Sequence, residues 1–133
     1  MINLFNGLFY QYFKWQVKVG NKDVAPFFSY LNVYLFSFIW LVAFFLWSLL
    51  FIESSALLDY YINSCTYYSI IIFTGVVYYF MFLHKKKYLD IMNKGHIYGK
   101  YNMRVLAIIF PILGFILLNL GWILKMFQNR GDL

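Results

Sequence analysis

Charge is scarce in this sequence, and acidic charge scarcest of all. Charged residues make up 12% of the chain and five of them are acidic, where a soluble domain carries roughly a quarter charged. Cys65 is the single cysteine, so no disulfide framework or cysteine metal site can form within one chain. Two prolines, Pro26 and Pro111, leave few places where a helix must break. No cofactor motif, internal repeat or nucleic-acid motif is present. Residues 1–16 lack the basic start, continuous apolar centre and small-residue cleavage site of a signal peptide. Insertion is therefore expected to be directed by the first retained span.

What fills the chain instead is apolar. Of 133 residues, 63% are hydrophobic and 25% aromatic. The length allows one domain. In water such a domain would bury only about two thirds of the surface its unfolded chain exposes, too little for this composition. The excess calls for lipid as solvent.

Three stretches carry no Asp, Glu, Lys or Arg: residues 24–52, 60–84 and 105–124. As helices they would reach roughly 43, 37 and 30 Å, enough for a hydrocarbon core of about 30 Å. Lipid demands internally paired backbones, which favours helices for runs this long. The expected fold is an all-α integral membrane three-helix bundle, with spans at 26–52, 62–84 and 104–127. Local signals support the boundaries. Asp23 precedes the first run, and Pro26 suits a first helical turn. Glu53, Ser54 and Ser55 close it. Tyr67 and Tyr68, Tyr78 and Tyr79, and Trp47 and Trp122 lie toward span ends, as rings at a lipid–water boundary would. Pro111 is expected to kink the third helix by freeing a carbonyl one turn earlier.

The basic residues give orientation. Lys14, Lys18 and Lys22 precede the first span, and Lys85, Lys86, Lys87, Lys94, Lys100 and Arg104 lie between the second and third. The loop between spans one and two holds Glu53 and Asp59 and no cation. Nine of the eleven positive charges thus share one side. That predicts a bacterial-type inner-membrane protein with its N-terminus and the basic segment 85–103 in the cytoplasm, and its C-terminus outside. At about 100° per residue, Leu4, Phe5, Leu8, Phe9, Tyr12, Phe13 and Trp15 fall on one half of a helical wheel. Asn3, Asn6, Gly7, Gln11, Lys14 and Lys18 fall on the other, with Gln16 intruding. This predicts an amphipathic helix over residues 1–20 lying in the cytoplasmic interface.

Candidate chemistry is thin. His84, Asp90 and His96, with Asp23 nearby, are the acid–base groups of one compartment, but their spacing is not that of a one-face helical site. No ionisable group lies deep within a span, where membrane enzymes and proton carriers place one. No catalytic, cofactor or metal residue is therefore assigned. Lys85, Lys86, Lys87, Lys94, Lys100 and Arg104 are candidate contacts for an anionic ligand or for anionic lipid headgroups, at about 1 kcal/mol each. Tyr88, Tyr98 and Tyr101 interleave with them, as base stacking would need. Tyrosine is abundant throughout, however, and lipid is the preferred partner over nucleotide or nucleic acid.

Polar residues within the spans say more. A buried amide in hydrocarbon must find a partner, so Asn32 and Asn119 each mark a packed face. Ser69 and Ser48 are intrachain candidates for Asn119, and Tyr78 or Tyr79 for Asn32. Gly114 and Gly121, seven apart with Pro111 and Leu118 on their stripe, would let another helix approach closely; Asn119 copies could then form a ring.

In layout the chain is similar to small, aromatic-rich, multi-span bacterial proteins. The likeness rests on the N-terminal LFYQYFKWQVKVG, the Asp23–Pro26 entry and the KKKYLDIMNK run. It concerns architecture and implies no ligand or catalytic residue. The expected function is a self-associating pore, channel or permeability effector. The alternative is a non-catalytic accessory or anchoring subunit of a larger membrane complex. A lipid-headgroup enzyme using His84, Asp90 and His96 ranks third.

Overall fold

In the computed structural model the described residues are 2–51 and 64–131, with side chains described from residue 68 onward in the second stretch. The acidic loop with Glu53 and Asp59, the first two residues of the expected second span, and Tyr67's side chain lie outside them. The described residues are helical without a strand: α1 (Ile2–Lys18), α2 (Ala25–Phe51), α3 (Ser64–Phe82), a 3₁₀ turn (His84–Lys86), α4 (Tyr88–Asn93), α5 (Gly95–Tyr98) and α6 (Tyr101–Arg130). Three stretches are long and apolar enough to cross a membrane: α2, residues Tyr68–Lys86, and α6. The described residues are thus all-helical, and the three long apolar stretches mark a membrane protein.

Helix boundaries depart from the apolar runs where polar residues still suit a helix. The third helix starts at Tyr101 and ends at Arg130, beyond 104–127 at both ends. Met103 at one end and Gln128 and Arg130 at the other are good helix formers, so the loss of apolar pattern there does not stop the helix. Between α1 and α2 the chain turns through Gly20, whose φ of 98° suits a residue without Cβ. Between α3 and α4 it turns through Lys85 and Lys86, with φ of 52° and 56°. Two successive lysines in the left-handed region cost roughly 1–2 kcal/mol each.

α2 is the hub. α6 packs closely along it and α3 touches it more sparsely, while α3 and α6 meet each other little. The buried line of α2 is mostly small: Ala25, Ser29, Val33, Ser37 and Ala43, then Leu49. Small residues let helix backbones approach without a hydrophobic drive from water.

The core is concentrated at the end carrying the basic segment. Leu8, Phe9 and Tyr12 of α1 are buried with Val33, Tyr78, Phe82, Ile91, Tyr98 and Ala107. Phe9 and Phe82 are fully buried and stack with centroids 4.7 Å apart, an arrangement contributing about 0.5–1.5 kcal/mol beyond its area. α1 is thus helical as the wheel predicts, and much of its apolar half is covered by protein. Asn3, Lys14 and Lys18 of the polar half stay exposed, as does Trp15.

Candidate functional site

Among the described residues the most extensive helix–helix packing is between α2 and α6, and its closest approaches are built from two tryptophans and two glycines. A helical side chain covers the turn before its own Cα, so a glycine leaves the carbonyl four residues earlier uncovered. Gly114 uncovers Phe110 and Gly121 uncovers Leu117. Trp40 Nε1 donates to the Phe110 carbonyl at 2.9 Å, and Trp47 Nε1 to the Leu117 carbonyl at 3.0 Å. Trp40 also stacks on the Phe110 ring at 5.6 Å. A Cβ on Gly114 would lie 2.8 Å from Trp40 Nε1, and one on Gly121 3.1 Å from Trp47 Nε1. The helix that approaches the glycine stripe is α2 of the same chain. Trp47, expected at a lipid boundary, is half-buried in this seam instead; Trp122 is exposed.

The seam continues to its far end with the donors reversed. Lys125 Nζ donates to the Leu49 carbonyl at 3.1 Å and Gln128 Nε2 to the Leu50 carbonyl at 3.1 Å. These carbonyls lie in the last described turn of α2, where a cation meets the negative end of the helix dipole.

At the opposite end, α1 repairs the break in α6. Pro111 has no N–H, so the Ala107 carbonyl four residues earlier loses its helical partner. Tyr12 Oη donates to that carbonyl at 2.8 Å. Burial pushes the Tyr12 phenol well above its ordinary range, which keeps it a donor. Gln11 Nε2 donates to the Tyr98 carbonyl at 2.5 Å, and Phe13 stacks on Tyr88. These contacts bring α1 and the basic segment to one end of the molecule.

The amides and hydroxyls of the spans mostly satisfy their own helices. Asn119 Nδ2 donates to the Phe115 carbonyl at 2.7 Å from an exposed position. Ser48 Oγ donates to Phe45, Ser37 Oγ to Val33 and Ser29 Oγ to Ala25. Asn119 and Ser48 therefore do not pair with each other. Ser69 is exposed on α3. Asn32 is half-buried, and among the described residues its side chain bonds neither Tyr78 nor Tyr79. Back-bonding to the carbonyl one turn earlier is the nearest option for a short polar side chain in a helix.

All six candidate cations, Lys85, Lys86, Lys87, Lys94, Lys100 and Arg104, are exposed. Two of the interleaved tyrosines are committed to packing: Tyr98 is buried and accepts from Asn6 Nδ2 at 3.5 Å, and Tyr88 is half-buried against Phe13. Tyr101 stays exposed. His84 packs on Phe80 with centroids 4.9 Å apart. Among the described residues no three histidine, cysteine or acidic side chains gather as a metal site. No protein-family model, curated protein or solved structure matches this chain.

Proposed function

We propose that this protein self-associates in a bacterial-type inner membrane and that the assembly acts as a pore, channel or permeability effector, without enzymatic chemistry of its own. The N-terminus and residues 85–103 face the cytoplasm and the C-terminus faces outward. α1 lies in the cytoplasmic interface, with Asn3, Lys14 and Lys18 toward headgroups and Leu8, Phe9 and Tyr12 against the spans.

The observation that carries this reading is Asn119. Its amide is exposed on α6 among Phe115, Ile116, Trp122 and Ile123, and among the described residues its one hydrogen bond uses one N–H. An amide oxygen left unpaired in hydrocarbon costs several kcal/mol, which a neighbouring copy can relieve. With α2 sandwiched between α3 and α6, a path for solute has to form between copies. The test is the mass of the particle in mild detergent together with flux from liposomes. Wild type should be a multimer that conducts, and Asn119→Leu should change subunit number or conductance. Monomers without flux sink the reading.

A second reading, a non-catalytic accessory or anchoring subunit, is favoured by α3. Its sparse contact with α2 leaves Ile72, Phe73, Val76 and Phe80 exposed. Co-purification with a different protein at fixed stoichiometry would select it.

A further inference from the structure

A cleft of about 390 Å³ opens at the basic end, between α1, the end of α3, and α4 with α5. Its lining combines the charged Lys87, Asp90 and Lys94 with the apolar Ile2, Met81 and Ile91 and with Asn6 and Tyr98. Asp90 lies in the first turn of α4 and Lys87 and Lys94 cap its two ends, at spacings of three and four that put all three toward one side. All three are exposed, and among the described residues no ion pair links Asp90 to either lysine. The cleft therefore presents two cations flanking one anion, with no internal partner consuming any of them. Lys85, Lys86, Lys100 and Arg104 do not line it.

We propose that this cleft holds the headgroup of a glycerophospholipid bearing phosphoethanolamine, with its phosphate at a flanking lysine ammonium, Lys87 or Lys94, and its own ammonium at Asp90. Charge pattern and position both point there. A purely anionic headgroup would bring its charge against Asp90, whereas a phosphate diester with an ammonium two carbons away matches both signs. Met81 belongs to the stretch long and apolar enough to span a membrane, close to its Lys86 end. Ammonium groups at the end of such a span sit at headgroup depth. Ile2 and Met81 then border the start of the acyl chains. The inference requires the membrane setting and is independent of subunit number.

The experiment uses the full chain in an uncharged detergent, supplied with equal amounts of phosphatidylethanolamine and phosphatidylglycerol of the same acyl chains. Native mass spectrometry counts the lipid retained. Wild type should prefer phosphatidylethanolamine. Asp90→Asn should reduce that preference by about threefold or more, the scale of an exposed ion pair. Lys87→Gln with Lys94→Gln should weaken retention of both lipids. Lys85→Gln with Lys86→Gln removes the same charge outside the cleft and should leave the preference intact. Circular dichroism on each variant confirms that these surface changes leave the helices in place. Equal retention of the two lipids by wild type overturns the proposal, as does loss of preference in the Lys85 and Lys86 control. Displacement of the lipid by equimolar inorganic phosphate also overturns it, assigning the cleft to a free anion.

Discussion

α2 is bound to its two long neighbours by the same device, an aromatic donor reaching a backbone carbonyl, yet the two seams differ in tightness. Toward α6, Trp40 and Trp47 reach Phe110 and Leu117 through gaps left by glycine. Toward α3, Tyr30 Oη reaches the Gly75 carbonyl and Tyr34 Oη the Ile71 carbonyl, both at 3.1 Å. A Cβ on Gly75 would find its nearest atom at 3.7 Å, an ordinary contact. On Gly114 it would collide at 2.8 Å. The same donor chemistry thus gives a locked pair on one side and a looser flank on the other. Backbone proximity decides which, since interhelical hydrogen bonds in membranes contribute only about 0.6–2 kcal/mol.

Substitutions that fill or empty these seams test the contrast. Gly114→Ala should be the most damaging, because the new methyl displaces the Trp40 indole. A loss of about 1–3 kcal/mol is expected from overpacking, read as unfolding free energy in mixed micelles, with the Trp40 fluorescence shifted. If Gly114→Ala is as stable as wild type, the tight seam is not what binds α2 to α6. Next comes Tyr12→Phe, which leaves the Ala107 carbonyl buried and unpaired at a cost of about 1–2 kcal/mol. The same change in a Pro111→Ala background should cost far less, because replacing the proline restores the helical N–H. Equal losses in both backgrounds would show that Tyr12 acts through packing alone. Smallest is Gly75→Ala, where alanine's helix propensity can add up to about 1 kcal/mol against ordinary contacts with Tyr30 and Tyr34. A loss approaching that of Gly114→Ala would erase the distinction between the seams.

Much of this architecture is legible in the sequence. The uncharged runs locate the long helices because hydrocarbon tolerates so few alternatives. Pro111 announces a freed carbonyl from covalent structure alone, and the wheel identifies Leu8, Phe9 and Tyr12 as one face. The wheel does not say whether that face meets lipid or protein, since both solvents are apolar. For the same reason Trp47 reads as a boundary residue, although Trp40 to Trp47 and Gly114 to Gly121 share a spacing of seven that pairs them. Asn119 and Ser48 were legible as polar groups needing partners. Their choice of Phe115 and Phe45 reflects geometry inside one helical turn, to which hydropathy patterns are blind. The lysines read as one basic band. Only the fold separates Lys87 and Lys94 at a cleft from the others.

The bond from Tyr12 to Ala107 ties the mechanics of the third span to the first dozen residues of the polypeptide. A helix missing one rung flexes at that rung unless something braces it, and here the brace arrives from a segment ninety-five positions away in the chain. Whatever pulls α1 from its seat, whether a fused tag, a protease or a competing surface, would loosen α6 about its proline. The amino-terminal helix thus splints the interior at the rung its proline leaves open.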